Sequence, residues 1–136
     1  MDDFFLRPEI RTPERLKEPG GNVDYERFRK EVSDPLIATG SCRYRVYSCK
    51  CQGFVCSKTV THPRIVIIEG AYSAHPYFGE IYDAVFFLSI SPEEQKERIR
   101  KRNGERMLTR FLNEWIPMEN RYFETFRIKE KYTDKE

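Results

Sequence analysis

A run of four β-branched residues most constrains what this chain can fold into. Residues 64–71 read Arg-Ile-Val-Ile-Ile-Glu-Gly-Ala, so positions 65–68 offer no polar face. This pattern is typical of a strand covered on both sides, as in a parallel sheet flanked by helices. Glu69 follows the run, and ligand crevices of such sheets lie at the carboxyl ends of their strands. The sequence therefore predicts a buried parallel strand that presents Glu69 to a crevice.

A second apolar run predicts a neighbouring parallel strand. Residues 84–90 read Ala-Val-Phe-Phe-Leu-Ser-Ile. The next residues are Ser91-Pro92-Glu93-Glu94, with a serine cap, a proline in the first turn and a glutamate three positions after the cap. This is a signal for a helix start, and we expect that helix to end near Arg102. Together the two runs and the helix indicate an α/β fold.

Patterns elsewhere predict helices and one β-hairpin. The expected elements are a short helical turn at residues 13–17, a helix at 22–38, a hairpin at 42–61 and a long helix from Glu105. Asn22 or Asp24 can cap the helix at 22–38. Pro117 should kink the last helix, because proline removes a backbone donor and clashes with the preceding turn.

Composition argues against several classes of function. The 136 residues carry a net charge of +2, which is too small to indicate a nucleic acid partner. No apolar run approaches ~20 residues and the amino terminus is acidic, so we expect neither a membrane span nor a signal peptide. A cytoplasmic protein is the simplest expectation. Homo-oligomer formation is left open.

Four cysteines lie close together, at Cys42, Cys49, Cys51 and Cys56. Nothing else in the sequence indicates secretion, so disulfides are not expected. The spacing C-x6-C-x-C-x4-C lacks the paired C-x2-C knuckles of common zinc sites. We expect free thiols in the hairpin, with metal binding as the alternative.

Six motifs along the chain, taken together, indicate a family. They are Asp2-Asp3-Phe4-Phe5, Glu18-Pro19-Gly20-Gly21-Asn22-Val23-Asp24-Tyr25, Tyr44-Arg45-Val46-Tyr47, Ile67-Ile68-Glu69-Gly70, Arg98-Ile99-Arg100-Lys101-Arg102-Asn103-Gly104 and Glu114-Trp115-Ile116-Pro117-Met118-Glu119-Asn120-Arg121-Tyr122-Phe123. In this order they resemble the bacterial uridine kinases, within the P-loop nucleoside kinases that include phosphoribulokinase and nicotinamide riboside kinase. The resemblance runs through nearly the whole chain. It implies a P-loop kinase-like parallel sheet with flanking helices, plus the small hairpin.

The resemblance also implies a reaction and its cofactors. Such a kinase moves the γ-phosphoryl of ATP to a ribose 5′-hydroxyl, mainly by positioning and charge neutralisation. Asp2 would accept the hydroxyl proton, and Glu69 would sit near Mg²⁺, directly or through water. Arg98 and Arg102 resemble the lid arginines that close on the phosphates of ATP. The residues alone allow a plainer interpretation of each: Glu69 is then a surface glutamate at the end of a strand, and the two arginines belong to a solvated helix face.

Five further residues are implied to contact the nucleoside. The set comprises Asp3, Phe5, Asp24, Tyr47 and His75. Asp24 would hold the ribose hydroxyls, since a carboxylate accepts two hydrogen bonds, although it can also serve only as a helix cap. Tyr47 and Phe5 would pack on the base. The resemblance makes residues 1–21 a substrate loop and residues 91–104 a lid-like helix.

One hallmark of the family is missing from these 136 residues. The phosphate loop G-x-x-x-x-G-K-[ST] does not occur, nor do the strand before it and the helix after it. We therefore expect residues 1–136 to be a single, partial uridine kinase-like domain in pyrimidine salvage, inactive by itself. The alternative is a non-catalytic remnant, a binding or interaction module that keeps only the nucleoside-binding part.

Overall fold

The computed structural model describes residues 1–132 and divides the chain into two compact units, Met1–Asp83 and Ala84–Glu136. Its secondary structure is mixed, with helices and a two-stranded antiparallel sheet. No helix in the described part of the chain is both long and apolar enough to cross a membrane.

The first unit begins with a series of short helical segments joined by loops. In chain order they are a 3-10 turn at Asp2–Phe4, a 3-10 turn at Pro8–Ile10, α1 at Pro13–Lys17, α2 at Tyr25–Phe28, a π turn at Arg29–Ser33 and α3 at Asp34–Thr39. The helical turn expected at residues 13–17 is thus present. Asp24 caps α2 by accepting from the Arg27 amide at 3.2 Å. Gly40, at φ +70°, ends α3 in the left-handed conformation that favours glycine.

Both π turns of the described structure precede a proline by two residues. The first, Arg29–Ser33, stands before Pro35, and the second, Phe111–Trp115, stands before Pro117. A proline has no amide to donate to the carbonyl four residues earlier, and a π turn lets the helix continue past that missing bond. The distortion expected at Pro117 therefore takes the form of a local change in hydrogen-bond spacing.

The predicted hairpin is confirmed. Strand β1, Ser41–Ser48, pairs antiparallel with β2, Gly53–Thr61, and the register shifts between Val46 and Tyr47. Cys42 and Tyr47 on β1 are buried, whereas most of β2 is exposed. All four cysteines are free thiols. The last element of this unit is a 3-10 turn at Pro76–Phe78.

The two parallel strands expected at residues 64–70 and 84–90 are not formed, so that prediction is wrong for this structure. Neither run is assigned as a strand, and both expose their apolar side chains. Ile67 is 85% exposed and Leu88 is 90% exposed. A strand needs a neighbour to pair its backbone groups, and in residues 1–132 the β1–β2 ladder and one isolated bridge are the β pairings present. Apolar character predicts a preference for burial, but it does not supply the partner.

The second unit is helical. Its elements are α4 at Pro92–Asn103, α5 at Glu105–Arg110, the π turn at Phe111–Trp115, α6 at Ile116–Thr125 and α7 at Ile128–Tyr132. The predicted start of α4 is confirmed, because the Ser91 hydroxyl accepts from the Glu94 amide at 3.2 Å. Leu108, Tyr122 and Ile128 are buried in this unit together with Ile99.

Candidate functional site

A pocket of about 330 Å³ in the first unit has three acidic residues in its lining. Asp2, Asp3 and Glu69 line it, although the first and the last are 67 positions apart in the sequence. The Met1 ammonium donates to the Glu69 carbonyl at 2.6 Å, which fixes the 3-10 turn Asp2–Phe4 beside this residue. The pocket therefore has a carboxylate rim formed from two distant parts of the sequence.

The floor of the pocket is apolar and holds the Asp2–Phe4 turn. Phe4 is 4% exposed and lies edge-on to the Phe28 ring, with ring centroids 5.1 Å apart. On its other side the Tyr44 ring centroid is 5.5 Å away. Two backbone hydrogen bonds also hold this segment in place: the Leu6 amide donates to the Asn22 carbonyl, and the Asp24 amide donates to the Phe4 carbonyl at 2.8 Å. Burial of Phe4 thus positions Asp2 and Asp3 at the rim.

Asp3 is held on both its side chain and its backbone. Lys58 of β2 donates to the Asp3 carboxylate at 2.7 Å, and Arg27 donates to the Asp3 carbonyl at 2.7 Å. The Asp3 hydrogen bond raises the pKa of Lys58. Lys58 and Tyr44 also line the pocket, and neither belongs to the residues implied by the sequence. Alternation along the hairpin could have suggested that these two side chains share a face, but not that the face meets Asp3.

Asp24, expected to hold the ribose, is buried outside this pocket. Its carboxylate lies 3.2 Å from Arg27 Nε and 3.5 Å from Arg7 Nε. The same carboxylate caps α2. The pocket lining includes Asp2 and Glu69 but not Asp24. Asp24 is linked to the rim indirectly, because Arg27 bonds both Asp24 and the Asp3 carbonyl.

Arg27 is the buried guanidinium that joins these parts, and sequence reasoning missed it. It is 5% exposed and donates to carbonyls of Asp3 and Arg45, each at 2.7 Å. Its guanidinium carbon lies 4.2 Å from the centroid of the Phe4 ring. Burial lowers the pKa of Arg27 against the pull of Asp24 and Glu31, but an arginine remains charged. The signal in the sequence was the i, i+3 spacing of Asp24 and Arg27.

Glu31 and Arg45 extend this charge network to the hairpin. The Glu31 carboxylate accepts from the Arg45 amide at 2.9 Å and from the Arg45 guanidinium. Burial would raise the pKa of Glu31, but its hydrogen bonds from Arg45 outweigh that effect and hold the pKa below its usual value. The guanidinium carbon of Arg45 lies 4.2 Å from the centroid of the Phe54 ring. Helix and hairpin are therefore fastened by charge as well as by packing.

The three aromatic residues implied in nucleoside binding lie in different settings. Phe5 forms an isolated bridge with Val23. Tyr47 is buried, and no hydrogen-bond partner for its hydroxyl occurs among residues 1–132. His75 is buried, and its ring centroid lies 4.4 Å from that of Tyr25. None of them lines the carboxylate pocket.

The loop before Asp24 is organised by Arg15, a second residue that the sequence did not single out. Arg15 donates to the carbonyls of Gly21 and Val23 and pairs with both oxygens of Glu26, the shorter contact being 2.6 Å. Its guanidinium carbon lies 3.7 Å from the Tyr25 ring centroid. A Cβ at Gly21 would meet the Arg15 carbonyl oxygen at 1.9 Å, so this position requires glycine. The close approach explains one glycine of the Pro-Gly-Gly motif.

Arg98 and Arg102 belong to α4 in the second unit. Arg98 donates to Glu94 at 2.6 Å, and Arg102 donates to the Asn103 side chain at 2.7 Å. Both side chains line a cavity of that unit with Glu119. Their expected role as lid arginines toward ATP remains a prediction.

A magnesium ion that keeps most of its water ligands suits the carboxylate pocket better than a metal ion that needs several protein ligands. No group of three or more His, Cys, Asp or Glu side chains that could hold a metal ion is found within residues 1–132. Mg²⁺ at phosphoryl-transfer sites is usually held by one or two carboxylates, with waters and substrate phosphates completing the shell. Glu69, the carboxylate that the resemblance assigns to this ion, lines the pocket, and its role toward Mg²⁺ remains a prediction. Arg98 and Arg102 on α4 offer positive charge to ATP, but they do not supply the set of backbone amides that cradles phosphates in a phosphate loop.

Comparison with known proteins gives no relatives: no family model, no curated protein and no solved structure matches this chain.

Proposed function

We propose that this chain forms the nucleoside-binding part of a uridine kinase-type phosphotransferase, which transfers the ATP γ-phosphoryl to a ribose 5′-hydroxyl. The observation that supports it best is the meeting of Asp2 and Glu69 on one pocket. These residues come from two separate motifs of the resemblance and are assigned to the same chemistry.

In this proposal the pocket residues have distinct tasks. Asp2, exposed at the rim, accepts the proton of the attacking hydroxyl. Lys58 holds the Asp3 carboxylate and keeps it from competing for that proton. Glu69 would supply a hard oxygen ligand for Mg²⁺, directly or through water, and Mg²⁺ when bound would neutralise charge on the transferred phosphoryl group. The apolar floor around Phe4 and Phe28 would receive the uncharged body of the nucleoside.

Uridine binding tests the proposal without requiring turnover. We expect saturable binding of uridine by calorimetry or NMR titration, and at least a tenfold loss of affinity in Asp2→Asn, because a charged acceptor for a substrate hydroxyl is removed. Asp34→Asn is the matched control, since Asp34 is exposed and lies outside both the pocket lining and residues 1–21. Equal affinity of the two variants, or no binding of uridine, would contradict the proposal.

A non-catalytic binding module is the second candidate. It is favoured by one specific observation, the lack of any G-x-x-x-x-G-K-[ST] sequence in the 136 residues. Such a module would bind uridine with the same dependence on the pocket. It would differ from the kinase in showing no phosphoryl transfer in any longer form of the protein.

A further inference from the structure

The second unit contains a cavity lined by Arg98 and Arg102, the two arginines expected to face ATP, and the kinase proposal assigns no ligand to its apolar wall. Its volume is about 430 Å³, large enough for a small organic molecule. Ile99, Phe111 and Ile116 form an apolar wall, and Arg98, Arg102 and Glu119 add charged groups. The apolar wall and the charged groups come from α4, the π turn at Phe111–Trp115 and α6, so the cavity lies within one unit.

The two arginines of the cavity differ in their ion pairing. They are four residues apart on α4, which places them on one helix face. Arg98 pairs with Glu94 at 2.6 Å. Arg102 bonds the neutral Asn103 side chain, and it forms no ion pair with any residue in the described part of the chain. The cavity therefore offers one guanidinium whose charge is not matched by a carboxylate.

Glu119 is the acidic group of the cavity. Burial raises the pKa of its carboxyl, and no hydrogen bond to this carboxyl is formed by residues 1–132. The other charged groups that line the cavity with it are Arg98 and Arg102, both from α4. The residues contributed by the helices after α4 are otherwise uncharged. Protonation of Glu119 would therefore leave the cavity with positive charge alone.

We propose that this cavity binds a small organic anion with an apolar ring, whose anionic group bonds Arg102 and whose ring packs against Phe111 and Ile116. Charge complementarity selects the anion, because a guanidinium without a carboxylate partner is matched by an oxyanion held through two parallel hydrogen bonds. The apolar wall selects the ring, since a free inorganic anion would leave that surface unfilled. The site uses residues of the second unit only, so it holds whether or not the kinase proposal does.

Glu119 makes this binding depend on pH. The neutral carboxyl can share a hydrogen bond with the ligand, whereas the ionised carboxylate places a second negative charge beside it. Anion affinity should therefore be highest below the raised pKa of Glu119 and fall as pH rises through it. A glutamine at this position is neutral at every pH and should abolish the dependence.

Trp115 provides a local reporter for the test. It is the one tryptophan of the sequence, and its ring centroid lies 4.5 Å from that of Phe111 in the cavity wall. We would titrate the full chain with 3-phenylpropionate and follow tryptophan fluorescence. The neutral 3-phenylpropanol and the ring-free propionate separate the contributions of charge and ring. We expect a saturable change with 3-phenylpropionate and binding at least tenfold weaker for both partial probes.

Three variants decide whether the cavity is the site. Arg102→Gln should weaken 3-phenylpropionate binding about tenfold or more, because it removes charge-assisted hydrogen bonds. Lys96→Gln, an equal loss of charge at an exposed position of α4 outside the cavity, should leave binding unchanged. Glu119→Gln should bind with the same affinity at pH 6 and pH 8, where the carboxylate of the probe stays ionised, while the parent chain weakens between them.

Each result bears on the proposal. Circular dichroism of every variant shows whether the helices are retained, and Arg102→Lys gives a charged replacement if Arg102→Gln unfolds. The absence of a saturable signal, or equal losses in Arg102→Gln and Lys96→Gln, would overturn the anion site. Unchanged pH dependence in Glu119→Gln would overturn the role of Glu119. Neither ATP nor a nucleoside is present, so failure here is distinct from failure of uridine binding.

Discussion

At the residue scale, Arg27 explains how a turn near the amino terminus is held beside a helix and a hairpin. One guanidinium bonds the Asp24 carboxylate and the carbonyls of Asp3 and Arg45 while it packs on the Phe4 ring. Arginine suits this task because its planar fork presents several donors in fixed directions. Burying such a charge is costly unless it is paired, so Asp24 is first of all a counter-ion in this structure.

The value of that pairing can be measured with Asp24→Asn. The amide keeps the shape of the side chain and its ability to cap α2, but it removes the charge that compensates Arg27. Breaking a buried pair in this way should lower the free energy of unfolding by about 3 kcal/mol, measured by urea denaturation.

The control for this measurement is Asp34→Asn. Asp34 pairs with Arg29 at 3.3 Å, and both side chains are about half exposed. Exposed pairs contribute little, so we expect a loss below about 1 kcal/mol. Similar losses at the two positions would show that Arg27 is not the costly buried charge described above. Uridine binding by Asp24→Asn under folding conditions would further separate a counter-ion from a ribose ligand.

At the scale of elements, local signals predicted the helices and the hairpin, whereas pairing between distant segments could not be predicted. The cap at Ser91, the cap at Asp24 and the proline-associated distortions are set by residues a few positions apart. The segments at 64–70 and 84–90 are different, because a strand exists only with a neighbour that the local sequence does not identify. Their apolar content was detected correctly, but their expected burial was not.

These exposed runs should cause self-association. Ile65 is 80% exposed and belongs to a β-branched run whose backbone is not paired within residues 1–132, which is the character of an aggregation-prone segment. Ile65→Lys places a charge in the run, outside the lining of the carboxylate pocket. We expect less concentration-dependent association by light scattering or size-exclusion chromatography.

Ile37→Lys serves as the comparison for this prediction. Ile37 is 68% exposed on α3, away from either run, and single exposed apolar residues are normal. It should change association little. A chain that stays monomeric at all concentrations, or that responds equally to both substitutions, would contradict the idea that the run is the adhesive segment.

At the scale of the whole molecule, the resemblance named residues that share one pocket, and their roles there remain predictions. The resemblance named Asp2, Asp3 and Glu69, and the structure places them on one pocket. The resemblance did not reveal that Lys58 pairs with Asp3 at the rim or that Asp24 pairs with Arg27. Such contacts depend on side chains from four separate segments of the chain. Motifs identify which residues matter to a chemistry. The tertiary structure decides which of them meet.

The last prediction concerns activity of these 136 residues, and it is negative. They contain no G-x-x-x-x-G-K-[ST] loop, whose backbone amides cradle phosphates and whose lysine reaches the transferred group. In the proposed function Asp2 is the base and Glu69 the carboxylate near Mg²⁺, but these groups would act only on an ATP that is already positioned. Loss of that positioning alone can remove about 7–11 kcal/mol of barrier lowering.

We therefore expect uridine binding without measurable ATP-dependent formation of UMP. The assay uses purified chain with ATP, Mg²⁺ and uridine, and the Asp2→Asn variant reports background phosphorylation. A longer form of the protein that contains a phosphate loop should be active and should lose that activity in Asp2→Asn. Turnover by the 136 residues at about 1 s⁻¹ or faster, abolished by the same substitution, would show that ATP is anchored by groups other than a phosphate loop.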